Sequence, residues 1–222
     1  MKARTRMTAK PRRLTLGLLR AVLLLVCAVL LFQVPKSVHA CACCAEDGEW
    51  DEGKLKIEDD LLAVIDHLKP AAKATLFTTE AFLEGIKGIA GLTQDSDTSY
   101  AVTLSRSGRQ WTLALVNGKG GRGALVFTVP PTAGYLNADI HDGLKGGGGG
   151  PLLYKELRLE GKAWGNGIFA GGITADTKFR LVLQGRGNHC PAVEDFKNWN
   201  LRVSGAKADY VFYGAFATPT KQ

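Results

Sequence analysis

The chain lacks a hydrophobic run long enough to cross a membrane. Its most apolar stretch, Ala21 to Val34, has 14 residues, where a spanning helix needs about 20. It also lacks any acidic residue before Glu46, whereas eight basic residues fall within the first 40. Lys2, Arg4, Arg6, Lys10, Arg12, Arg13 and Arg20 precede the apolar run, and Val38 and Ala40 stand at the two positions a signal peptidase reads. This pattern predicts a secretory signal peptide over residues 1–40, cleaved before Cys41, and disfavours an uncleaved anchor. Leu14 and Thr15 after the arginine pair, with a very apolar core, favour the unfolded-chain route over the twin-arginine route. The protein is therefore expected to be exported, either periplasmic or secreted. Cys41 follows the small residue Ala40, so it is also where a lipoprotein signal would place an acyl chain and attach the protein to a membrane, although His39 suits that signal poorly.

The leader accounts for the basic character of the whole. Of 28 Lys plus Arg, 20 remain after residue 40 against 21 Asp plus Glu, a net charge near −1, so the pI near 9.2 belongs to the leader. No basic stripe replaces it, and no nucleic-acid partner is expected. Also absent are internal repeats and any three-residue glycine period among the 27 glycines, which excludes collagen and favours many turns. The 182 residues from Cys41 to Gln222 suit one domain that buries about 70% of its unfolded surface.

Within that domain, Tyr100, Val102 and Leu104 alternate with polar residues before Ser107-Gly108, and Trp111, Leu113 and Leu115 alternate after it, the pattern of a hairpin. A glycine loop from Asn117 to Gly123 leads to a strand over Ala124 to Val129, closed by Pro130 and Pro131. Further strands are expected at Lys73 to Thr79, Tyr135 to Ile140, Leu152 to Trp164, Lys178 to Gln184, Trp199 to Ser204 and Asp209 to Tyr213. The aromatics Trp111, Trp164, Trp199, Tyr210, Phe212 and Tyr213 on these strands read as core, with a barrel mouth as their other use. One helix is expected between Glu58 and Lys69, where Ile57, Leu61, Leu62, Val64, Ile65 and Leu68 recur at helical spacing and Pro70 stops the run. Glu84 to Gly91 reads as a turn. The fold class is mainly β: a single antiparallel β-sandwich or β-barrel over residues 54–222, with one short N-terminal helix and a cysteine-bearing arm over 41–53.

No motif names a chemistry. Gly118, Gly120 and Gly123 spell a dinucleotide fingerprint, but a strand follows where a helix is required. Gly146 to Gly150 lack the lysine and hydroxyl residue of a phosphate loop. There is no H-E-x-x-H and no serine elbow. Two clusters remain. Cys41, Cys43 and Cys44 stand near the mature N-terminus and Cys190 far from them. Rings between neighbouring cysteines are too tight, so Cys190 should link to one of the three as a disulfide. Alternatively Cys41, Cys43, Cys44, His189 and Cys190 supply thiolate and imidazole ligands for Cu(I) or Zn(II). The other cluster is Asp139, His141 and Asp142, with Asn137 beside it, where a carboxylate-oriented base or two metal ligands would share a strand face; its plainer reading is a polar strand end. The leading expectation is a non-enzymatic exported β domain that binds a ligand or metal. The alternative is a metal-dependent or hydrolytic enzyme centred on Asp139, His141 and Asp142.

Overall fold

The computed structural model describes residues 43–77 and 99–217. The turn expected over Glu84 to Gly91 lies outside these residues, as do the leader and Cys41. Over these residues the fold is mainly β, 59% strand, with a closed eight-stranded antiparallel barrel and one helix. The strands are β1 (Trp50–Lys56), β2 (Pro70–Phe77), β3 (Ser99–Ser107), β4 (Gln110–Asn117), β5 (Arg122–Thr128), β6 (Thr132–Ala138), β7 (Leu153–Gly167), β8 (Lys178–Gly187), β9 (Phe196–Gly205) and β10 (Ala208–Phe216). The ring runs β7-β5-β4-β3-β2-β10-β9-β8 and closes through the pairing of β8 with β7.

β1 and β6 stand outside the ring because of two prolines. β5 and β6 lie end to end along one edge of β7, Gly123 opposite Gly167 at one end and Ala138 opposite Tyr154 at the other. Pro130 and Pro131 interrupt them, and neither has an N–H for a ladder. Val129 still donates to Arg109 O at 2.8 Å, and Ile57 donates to Pro131 O at 2.8 Å. The far edge of β5 takes β4, while that of β6 takes β1. The sheet thus forks at the prolines, and β1 with β6 extends one end of the barrel as a shelf.

The helix α1 (Asp59–His67) closes that end. Asp59 and Asp60 sit in its first turn and His67 in its last, as the helix dipole favours, and the His67 Nδ1 lies 2.6 Å from Ala63 O. Ile65 and Leu68 are fully buried in the barrel core. Arg106 of β3 fastens the helix end. Its guanidinium donates to Leu68 O, lies 4.5 Å from the Trp111 ring centroid and sits 3.8 Å from Asp66, an ion contact without hydrogen-bond geometry.

Strand alternation fills the barrel. Val102, Leu113, Leu115, Leu125, Phe127, Leu159, Phe179, Leu183, Leu201, Val203, Tyr210 and Phe212 all point inward and are buried. Only small residues fit on β7 where rings cross it: a Cβ at Gly161 would meet Phe179 at 2.9 Å. The void left among Trp111, Leu183 and Trp199 is about 20 Å³, so among the described residues this part of the interior is packed core. Of the six aromatics expected in the core, Trp111, Trp199, Tyr210 and Phe212 are there, but Trp164 and Tyr213 are 51% and 46% exposed. Parity explains both. Ala163 and Phe212 face inward, so their chain neighbours face out.

Phe212 packs edge-on against Tyr100, Phe169 and Tyr210, at ring-centroid distances of 5.2, 5.9 and 5.7 Å. Phe212→Ala is therefore expected to cost about 3–5 kcal/mol, measured by denaturant unfolding. A loss below about 1 kcal/mol would show that the barrel interior is not packed as described.

Candidate functional site

β1 begins at Trp50, inside the segment expected to be an arm, so only Cys43 to Glu49 of the described residues precede it as an arm. That arm is pinned at three places. A disulfide joins Cys43 to Cys190 with Cα atoms 5.1 Å apart. His189 N donates to Cys43 O at 3.2 Å. The Ala45 carbonyl lies against Gly150, where a Cβ would come within 2.1 Å of it, so the glycine loop serves as a seat for backbone. Cys44 is disulfide-bonded too, so its sulfur, 3.7 Å from Gly147 O, has no proton to donate. With Cys43 and Cys190 joined, the thiolate set that Cu(I) would require is not formed.

His189 nevertheless enters a cluster, with partners that the sequence did not single out. The ligating atoms of Glu49, Asp51 and His189 all lie within 4.8 Å of one another. His189 Nε2 is 2.7 Å from Glu49 Oε1, while Glu49 Oε2 accepts from the Glu46 N–H at 2.9 Å. Asp51 Oδ1 accepts from the Tyr135 hydroxyl at 3.1 Å. Tyr135 stands opposite Gly53 in the ladder, and its ring lies where a Gly53 Cβ would be, 3.2 Å away. The phenol is raised above its ordinary pKa, chiefly by the bond to Asp51.

Register places further polar groups beside this cluster. Asp51 pairs with Asn137, Asn137 with Lys155, and Lys155 with Gly185, so one row crosses β1, β6, β7 and β8. The next row inward, Gly53, Tyr135, Leu157 and Leu183, is already core at Leu157 and Leu183. Lys155 is buried and donates to Asn188 O at 2.6 Å and to Asp195 at 3.3 Å. Burial lowers its pKa, and Asp195 opposes the shift. Asp195 reaches it only because β8 is bare there: Cβ atoms at Gly185 and Gly187 would lie 1.7 and 2.3 Å from Asp195 oxygens. The loop 188–195 that carries His189 and Cys190 is thus locked onto the shelf. Between loop, shelf and α1 lies an open groove of about 340 Å³, lined by Asp51, Tyr135, Asn137, Lys155 and His189 on one side and by Leu55, Leu61, Leu157 and Phe196 below.

Asp139, His141 and Asp142 lie beyond the end of β6, which stops at Ala138, so Asp139 and His141 do not share a strand face. Asp139 accepts the N–H groups of Gly48 and His141, at 2.9 and 2.8 Å. His141 sits at φ 55° with its Nε2 3.9 Å from Asp139 and its side chain 73% exposed. Asp142 pairs with Arg186 and caps the Leu144 N–H at 3.1 Å. These carboxylates organise a turn, and among the described residues they form no three-ligand group.

No protein-family model, curated protein or solved structure matches this chain.

Two outcomes follow from this geometry. The Cys43–Cys190 link spans 147 residues, so in the chain-entropy model Cys190→Ser is expected to remove up to about 5 kcal/mol of stability, read from urea unfolding of the oxidised protein. Acid should weaken the turn. Arg186 and then the Leu144 N–H hold the Asp142 pKa down at about 2, and the Gly48 and His141 N–H groups lower that of Asp139. A carboxylate depressed below its unfolded value of about 3.9 stabilises the fold above that pH and stops doing so as pH falls through the folded value. Stability should therefore drop between about pH 4 and pH 2, and Asp142→Asn should flatten that limb.

Proposed function

We propose that the protein is an exported, non-catalytic β-barrel module that binds a zinc ion through Glu49, Asp51 and His189. The supporting observation is the convergence of two carboxylates and one imidazole from two distant pieces of chain: the junction of the arm with β1, and the loop 188–195. Oxygen and imidazole donors suit Zn(II), and they suit Cu(II) in a flatter geometry, but not Cu(I). Zinc bonds of about 2.0–2.1 Å space tetrahedral donors about 3.4 Å apart, so the Glu49–His189 pair, now at 2.7 Å, would open slightly around the ion. Three protein ligands leave a fourth position facing the groove.

Export rests on the leader over residues 1–40, and a Cys43–Cys190 disulfide is what an oxidising compartment would preserve. Membrane attachment through acylated Cys41 is a variant of the same reading. The hydrolytic alternative at Asp139, His141 and Asp142 has less support, because both carboxylates are already engaged by backbone N–H groups or Arg186.

Native mass spectrometry of the protein isolated from its own compartment tests the reading as a whole. The expected species begins at Cys41, carries its disulfides and holds one zinc ion. Zinc titration calorimetry of purified protein should then show one site, with affinity lowered about 10-fold or more by Glu49→Gln or His189→Ala. A mass without metal, together with zinc affinity that neither variant changes, would overturn the zinc site.

A further inference from the structure

β1 leaves one edge of the shelf open, and its sequence is ordered by charge. Asp51 and Glu52 precede Gly53, and Lys54 and Lys56 follow it. Hydrogen-bonded pairs alternate along an antiparallel ladder. Ile57 donates to Pro131 O and Glu49 O accepts from the Asp139 N–H, each at 2.8 Å. The register between these two bonds is unbroken, so Asp51, Gly53 and Leu55 share their phase and bond to β6. The N–H and C=O groups of Trp50, Glu52, Lys54 and Lys56 therefore point to the open edge, where among the described residues no strand pairs with them. At the start of that row Trp50 is 68% exposed, a large apolar ring beside unpaired backbone.

We infer that this edge pairs with the same edge of a second copy of the chain, antiparallel about a two-fold axis at Gly53. Edge charges ordinarily discourage pairing, and here they discourage every register of correct phase but one. An axis at Asp51, Glu52 or Lys54 sets that residue's charge against itself, and an axis at Leu55 sets Lys54 against Lys56. An axis at Gly53 sets Glu52 opposite Lys54 of the second copy, twice by symmetry, and opposite charges across a ladder attract. It also sets Trp50 opposite Lys56, a cation beside an aromatic ring. The backbone phase agrees. Each Glu52–Lys54 pair would exchange both main-chain bonds, and Gly53 would meet Gly53 in the closer, non-bonded pair, where the lack of a side chain permits the approach. On the other face Asp51 stands opposite Leu55, so no like-charge contact arises there. A two-fold of this kind stands perpendicular to the sheet, and both grooves then open on the same face of one continuous sheet. Edges seven residues long put the interface at the small end of specific ones, below about 1,200 Å² in total, so the dimer is a weak one that forms at high protein concentration. The inference does not depend on the zinc site.

Sedimentation equilibrium of the mature, disulfide-bonded protein at concentrations up to about 1 mM tests the pairing. The chain is expected to pass from monomer to dimer, and the amide protons of Trp50, Glu52, Lys54 and Lys56 to exchange more slowly in the dimer. Glu52→Lys and Lys54→Glu each put like charges opposite one another and should weaken association about 10-fold or more. An equimolar mixture of the two variants restores both opposite-charge pairs and should recover the dimer as a mixed species. Both residues are exposed, so each variant should fold as the parent does. A chain that stays monomeric throughout, a dimer that neither variant weakens, or a mixture that associates no better than the variants alone would overturn the inference.

Discussion

The structure depends on two adjacent prolines that cannot donate to a ladder. Without Pro130 and Pro131, β5 and β6 would form one strand along β7, pairing with a single neighbour throughout. The break lets β4 take the first half and β1 the second. One partner continues the barrel while the other leaves it as a shelf. β7, 15 residues long, is common to both, so the core and the groove share a wall. That sharing explains the gradient along β7: Leu157 and Leu159 are buried among apolar side chains, while Lys155, one alternation away, is buried among polar ones.

Much of the barrel was legible because its strands have one wet face and one dry face. Period-two alternation from Tyr100 to Leu115 gave the hairpin, and the helical spacing before Pro70 gave α1 within a residue or two at each end. β1 was not legible. Asp51, Glu52, Lys54 and Lys56 make it read as a solvated tail, since a strand at the edge of a sheet carries charges that discourage further pairing. Its pairing is set by β6 and not by its own pattern. The choice between sandwich and barrel was also beyond reach, because closure is a contact between the outer edges of β7 and β8 that no local pattern encodes.

The site was legible in the same partial way. The geometry of cysteines close in sequence pointed to a long-range link from Cys190, but which of the three would take it depends on where the arm crosses the loop. The polar density at Asp139 to Asp142 belongs to a turn, since a chain turning sharply at His141 uses these carboxylates for its own N–H groups. Glu49 and Asp51 gave no signal. They come near His189 because Gly53 admits the Tyr135 ring and because Gly185 and Gly187 let Asp195 draw the loop with His189 across the shelf.

The arm has little core of its own: of its residues from Cys43 to Glu49, only Ala45 is buried. Its order must therefore come from links rather than from apolar area, since fixing each backbone residue costs about 1–2 kcal/mol. A ligand that had to gather Glu49 and His189 from a loose arm would lose that free energy from its own affinity. The Cys43–Cys190 bond, formed before any ligand arrives, places this cost in folding instead, and the Lys155–Asp195 pair fixes the loop from the other side. The disulfide and the Lys155–Asp195 pair thus hold the arm and the loop 188–195 together at the edge of the groove.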